Sequence, residues 1–339
     1  MDLATNYMGL TLRNPLVASA SPLNAELANI RVLEDAGAGA VVLPSIFAEQ
    51  IEAEERRYEA VTGAGAFSSP EASSYFPKSD AYPMNSDRYL DLLSSAKEAV
   101  SIPVIASLNT ASEHTWIEYA KQLQEAGADA LELNIYVLPT DIRMTGRDIE
   151  ERYLAIVRAV KSCAAIPVAV KIGPYFSSPG NMAVELASAG ANGLVLFNRF
   201  YQPDIDVVRL EIVNDLELSR SGEMRLPLLW IAVLHSRIGA SLAASTGVHT
   251  ADDAVKYLLA GADVVMTTSA LLKHGAGHMR TLVEGLTDWL EHRNIEAVSN
   301  IRGLLSQAKA RNPEDYERAN YIKILQGHVA RHPVRATHG

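Results

Sequence analysis

The feature that most limits the folds open to this chain is a phrase that occurs four times. Asp35-Ala36-Gly37-Ala38-Gly39-Ala40, Glu125-Ala126-Gly127-Ala128-Asp129-Ala130, Ser188-Ala189-Gly190-Ala191-Asn192-Gly193 and Leu259-Ala260-Gly261-Ala262-Asp263-Val264 each join a segment of helical period to a short apolar run. A glycine just past a helix takes the left-handed conformation without steric cost, and the small residue after it permits a tight turn into the next strand. Each copy therefore marks a helix end and a strand start. Eight apolar runs, at 16–20, 40–45, 104–108, 130–135, 168–172, 193–197, 241–246 and 263–268, alternate with helical segments in this way. That alternation is the pattern of βα units around a parallel sheet. An open, doubly wound sheet shares it, but eight units with so regular a return favour closure, so the expected fold is α/β, a (β/α)8 TIM barrel. It is expected to occupy residues 1–327 as a single domain, with a disordered tail at 328–339.

Two stretches break the rhythm. Residues 47–85, with Gly63, Gly65, Pro70, Pro77 and Pro83, follow the second strand, and the charge-rich residues 199–227 follow the sixth. Insertions after strands are expected over the carboxyl face of a barrel, as lids or interface elements; the plainer reading is surface loop. Beyond Gly275 extra C-terminal helices are expected, the last opening at Asn312-Pro313-Glu314-Asp315.

Composition narrows the partners. With 48% hydrophobic and 21% charged residues the chain has ample material for a large core. A net charge of −10 opposes broad attraction to nucleic acid or anionic lipid. No apolar run approaches the roughly 20 residues of a membrane helix, and Met1-Asp2-Leu3 opens without a signal-peptide pattern, so a cytoplasmic protein is expected. Cys163, the only cysteine, can form no internal disulfide and cannot by itself hold an iron–sulfur cluster. The nine histidines show no ligand spacing, so no metal is expected and any electrons must move through an organic cofactor.

In a barrel the polar residues that end apolar strands converge on one mouth. Lys171, in Val168-Ala169-Val170-Lys171-Ile172, puts an ammonium at the end of a buried strand, where it needs a partner. A flavin, negative near N1 when reduced, is one such partner; a structural carboxylate is the other reading. Asn134 and Asn198 end the fourth and sixth strands, and a neutral amide suits a planar imide ring such as a flavin or a pyrimidine, although each asparagine alone also suits a turn. The last two strands end in Ser245-Thr246-Gly247 and Thr268-Ser269, the place where barrels often bind phosphate through backbone N–H groups, hydroxyls and a short helix.

These segments resemble the dihydroorotate dehydrogenase family and the related barrel domain of dihydropyrimidine dehydrogenase, from about residue 2 to residue 290. Asn14-Pro15-Leu16-Val17-Ala18-Ser19-Ala20-Ser21-Pro22 is similar to the family's first strand and flavin-contacting loop, Ala128-Asp129-Ala130-Leu131-Glu132-Leu133-Asn134 to its fourth strand, and Val170-Lys171 to its fifth. The resemblance implies FMN held by Ala20, Ser21, Asn109, Asn134, Lys171, Asn198, Ser245, Thr246, Gly247, Thr268 and Ser269. It implies substrate contacts at Asn134, Asn198 and Arg199. The departures fall at the chemistry. Where the family carries a cysteine or serine base, this chain reads Asn134-Ile135-Tyr136-Val137-Leu138-Pro139-Thr140. Val137 and Leu138 cannot take a proton, so Lys171 and Tyr136 are the candidate catalytic residues, Tyr136 with a packing aromatic as its other reading. Pro44 stands where the family has a second lysine. Asp141 and Arg143 are candidates for contact with a differently charged substrate.

The function expected is that of an FMN-dependent oxidoreductase of the dihydroorotate dehydrogenase type. It would act on dihydroorotate or a related small cyclic or carboxylated compound and pass hydride to flavin N5. Two alternatives are the same barrel and FMN with another substrate, and a non-catalytic flavoprotein or partner subunit that exchanges electrons with another protein. The expected partners are a small-molecule substrate, an electron acceptor of undefined kind and a second copy in a homodimer.

Overall fold

The computed structural model describes residues 1–47, 86–109, 113–200, 202–317 and 321. Eight parallel strands close into a barrel: β3 (Leu16–Ala18), β4 (Ala40–Phe47), β5 (Val104–Asn109), β6 (Ala130–Asn134), β7 (Val168–Ile172), β8 (Gly193–Leu196), β11 (Ser241–Ala244) and β12 (Val264–Thr267), with β12 returning to β3. Each expected strand is present, and the fold is the TIM barrel the alternation implied. The stretch 48–85 and the tail 328–339 lie outside the described residues.

The repeated phrase works as its chemistry requires. Gly37, Gly127, Gly190 and Gly261 have φ of +99°, +95°, +108° and +123°, each just past a helix. Two residues further on, a side-chain acceptor caps the neighbouring strand: Asp129 accepts from Val104 N at 2.7 Å, Asn192 from Val168 N at 3.0 Å and Asp263 from Leu242 N at 2.7 Å. The first copy has Gly39 there instead, because a Cβ would run into the Asn14 carbonyl, and Asn14 Oδ1 takes over by accepting from Leu16 N. One phrase thus ends a helix, turns the chain and satisfies an orphan strand donor.

The amino end of the barrel is sealed. Strands β1 (Thr5–Tyr7) and β2 (Leu10–Leu12) form an antiparallel hairpin that inserts Tyr7, Met8 and Leu12 beneath the barrel, against Val17, Ala40, Ala130, Ala169 and Ala243. Small inner residues make the room. At Gly193 a Cβ would meet Met8 Cγ and Sδ at 2.9 Å.

Of the insertion after β8, the described part forms an exposed hairpin, β9 (Asp204–Asp206) with β10 (Glu211–Val213), and a 3-10 turn over Ser221–Met224 that runs into the helix Arg225–Leu234. After the helix His278–His292 the described residues hold the 3-10 turns Val298–Asn300 and Pro313–Tyr316, and Tyr321 is helical. Where the final helix is expected to open, Pro313–Tyr316 form a 3-10 turn: Asn312 makes no side-chain cap, and Tyr316 donates its hydroxyl to the Leu305 carbonyl. Among the described residues no helix is long and apolar enough to cross a membrane.

Candidate active site

At the carboxyl end of the strands lies a cavity of about 520 Å³. Nearly every residue singled out in the sequence lines it: Ala20 and Ser21 after β3, Asn134 and Tyr136 from β6 and its loop, Lys171 from β7, Asn198 and Arg199 after β8, Ser245, Thr246 and Gly247 after β11, and Thr268 and Ser269 after β12. Asn109 ends β5 at the same end of the barrel and is buried, but it is not part of this lining. A larger depression of about 830 Å³ lies at the opposite end, beside Asn6, Met8 and Arg237. It is the more open of the two, and none of the residues singled out in the sequence for chemistry lines it.

The floor is Lys171, only 8% exposed. Its Nζ lies 3.6 Å from Glu132 Oε1 and 3.5 Å from Ser19 Oγ, so the structural carboxylate considered as its alternative partner is present. Glu132 was legible as one of the inward residues Ala130, Glu132 and Asn134 at strand period, but its site role was not read from the sequence.

One wall is a chain of polar side chains across neighbouring strands. Asn198 Nδ2 donates to Asn134 Oδ1 at 2.6 Å, Asn134 Nδ2 donates to Ser45 Oγ at 3.0 Å, and Ser45 and Ser107 share a hydroxyl hydrogen bond of 2.8 Å. Pro44 makes this geometry possible. Proline has no N–H for the ladder, and the β4–β5 register shifts between Val42 and Ser45, which carries Ser45 inward to its partners.

The opposite rim is rich in hydroxyls. Ser219 Oγ donates to Ser269 Oγ at 2.9 Å and accepts from Gly247 N at 3.3 Å. Thr246 and Gly247 both have positive φ, +80° and +75°. The Gly247 Cβ position is occupied by the Arg220 carbonyl and Met224 of the insertion, so this glycine lets the 3-10 turn pack against the strand end. Asp253, 2% exposed, ties the two segments together: its Oδ2 accepts from Ser221 Oγ at 2.8 Å and from His249 N at 3.2 Å. Burial pushes the Asp253 carboxyl up, but the Ser221, His249 and Thr250 donors outweigh it and hold the carboxyl below its ordinary value. Ser219 and Asp253 were missed in the sequence, since nothing in Leu216-Glu217-Leu218-Ser219 distinguishes a cavity serine from a loop serine.

The third side is aromatic. Tyr136 lines the cavity and also packs on Phe200, with ring centroids 4.5 Å apart, so the packing role considered for it is present in the structure. Its loop is anchored from below by Tyr153, whose hydroxyl donates to the Ile135 carbonyl at 2.9 Å and is pushed up to about 12 by burial. Asp141 and Arg143 point elsewhere: they pair with each other at 3.0 Å on the exposed loop and do not line the cavity. Arg199 is engaged by Glu223 at 3.0 Å and by the Glu217 carbonyl at 2.6 Å.

The closed eight-stranded barrel, with its polar side chains gathered at the strand carboxyl ends, is of the TIM-barrel class. The dihydroorotate dehydrogenase family model matches residues 84–290, and the chain belongs to that family. It is 27% identical to an Aeropyrum pernix protein assigned as a dihydroorotate dehydrogenase A (fumarate), over 91% of this chain and 98% of that one. It is 26% identical to the catalytic subunit of dihydroorotate dehydrogenase B (NAD(+)) from Pyrococcus furiosus, over 90% and 99% of the two chains. It is also similar, at 25% identity over 89% of this chain and 76% of the other, to the NAD-dependent dihydropyrimidine dehydrogenase subunit PreA of Escherichia coli strain K12.

Proposed function

We propose that this chain is an FMN-dependent oxidoreductase of the dihydroorotate dehydrogenase type, acting on dihydroorotate or a related small cyclic or carboxylated compound. The observation that carries the reading is the meeting in one cavity of a buried ammonium, two strand-end amides and a rim of hydroxyls. The donor set fits FMN. Thr246, Thr268, Ser269, Ser219 and the backbone at Gly247 suit a phosphate, and the amides of Asn134 and Asn198 suit the edge of a planar imide ring. Ser21 Oγ lies buried beside the cavity with no hydrogen-bond partner among the described residues, a free donor facing the same space. FMN, when bound, supplies a hydride acceptor at N5.

The chain's own part is orientation and charge. Lys171 sets an ammonium on the floor, where it stabilises negative charge that arises on reduction, and stabilisation confined to that state is what accelerates a reaction. The asparagine–serine chain fixes both amides, and the aromatic side and Leu218 give one flank an apolar lining. Proton removal is where this chain departs from its relatives' pattern. Val137 and Leu138 carry no titratable group, and Tyr136 is the titratable side chain of that loop that lines the cavity. A positioned base contributes about 10²–10⁴-fold, so slow turnover of dihydroorotate and a preference for another substrate are expected together.

The test is a substrate screen of the purified protein that follows bleaching of the visible flavin band, after denaturation of a sample to identify the released cofactor. Release of FMN, and bleaching by a small cyclic substrate, support the reading; FAD or no flavin overturns it. Dihydroorotate is to be assayed from mildly acidic to strongly alkaline pH, in wild type and Tyr136→Phe. Brisk neutral-pH turnover that survives Tyr136→Phe would place the base elsewhere in the chain.

A further inference from the structure

The pairing at the cavity floor is unusual in what it lacks. Glu132 is 1% exposed, and neither of its carboxylate oxygens has a hydrogen-bond partner among the described residues. An ionised carboxylate so placed is strongly disfavoured unless a counter-charge accompanies it. The groups facing it come from three directions: Lys171 from β7, Tyr7 from the amino-end hairpin, and Tyr89 from the helix Ser86–Ala99. Burial pushes both phenols up, and the charge of Glu132 adds to the effect. Lys171 alone among the three is a cation. Its other polar neighbour is the neutral hydroxyl of Ser19. The strand register fixes the pair, because Glu132 stands beside Ala169 and Asn134 beside Lys171 in the β6–β7 ladder, so Glu132 lies one inward position below Lys171 and within reach of its ammonium.

We propose that Glu132 is a positioning residue for Lys171: its buried carboxylate anchors the ammonium at the cavity floor and orients it. The cavity is then offered a charged N–H donor in a fixed orientation. The pairing stands on the geometry; only the purpose it serves rests on the flavin reading.

The test is acetylation of the full-length protein as purified, with acetic anhydride in limiting amount. Modification of Lys171 is read by peptide mass spectrometry relative to Lys256, whose side chain is 54% exposed. Without the counter-charge a buried ammonium gives up its proton more readily and the amine becomes nucleophilic. Glu132→Gln is therefore expected to speed acetylation of Lys171 relative to Lys256 by about tenfold or more, and Glu132→Asp, which keeps the charge, to return it close to the wild-type rate. An unchanged relative rate in Glu132→Gln, or a Glu132→Asp rate as high as that of Glu132→Gln, overturns the proposal. Excess FMN should slow acetylation in every variant. If it does not, the flavin reading fails while the comparison between variants still decides the pairing. Should Glu132→Gln not fold, the double variant Glu132→Gln/Lys171→Met decides: mutual compensation predicts that it folds and melts above either single variant, and a double variant no better than its singles refutes it.

Discussion

The two ends of this barrel are built from the same strands and have opposite characters. At the amino end the inner residues are Ala40, Ala130, Ala169, Gly193 and Ala243, and the space they leave is filled by Tyr7, Met8 and Leu12 from the hairpin. At the carboxyl end the same strands finish in Ser45, Asn134, Lys171 and Ser245, and the space is left as a cavity. The difference shows how one fold separates stability from chemistry. Within the barrel, the apolar fill lies at the plugged end and the polar side chains gather at the open one.

The comparison breaks most easily at the plug. Leu12→Ala, at a fully buried site, should cost about 2–5 kcal/mol in chemical unfolding, yet leave the FMN affinity of the folded protein unchanged. A comparable loss of cofactor affinity would show that the two ends are not independent. At the cavity floor the order reverses: Lys171→Ala should slow flavin reduction about 100-fold, roughly 2.7 kcal/mol of barrier, and weaken flavin binding by much less. Stopped-flow reduction beside a binding titration separates the two effects, and an unchanged reduction rate removes Lys171 from the chemistry.

Ser219→Ala sharpens the contrast at the rim. It removes a hydroxyl that bridges Gly247 and Ser269, and should lower FMN affinity about tenfold, near 1.4 kcal/mol, by fluorescence titration, with little change in melting temperature. The smallest effect is expected at Asp253, which ties the rim together from behind. Its carboxyl is held below the ordinary value of 3.8, so the charged form stabilises the fold. That contribution is fully present above pH 3.8 and is lost as the pH falls through the lower folded value. Asp253→Asn should therefore cost under about 1 kcal/mol at neutral pH, and the gap to wild type should close in strongly acidic buffer. A gap that persists there would mean packing, not charge, is what Asp253 supplies.

The sequence by itself determined the eight strands, their order and their closure, because each βα unit is written locally. An apolar run, a helical period and an Ala-Gly-Ala return depend only on neighbouring residues. It also located Lys171, Asn134, Asn198 and the last two strand ends, since a polar residue that ends an apolar strand is visible as an exception within its own segment. Tertiary structure alone decided the rest. Glu132 meets Lys171 only because neighbouring strands pair in one register, and Ser219 joins Ser269 only because a 50-residue separation is closed by the fold. The 3-10 turn at Pro313–Tyr316, and the Asp141–Arg143 pair that turns away from the cavity, were settled by contacts as well. A side chain's identity is local, but its partner is chosen by packing across distances the chain order does not record.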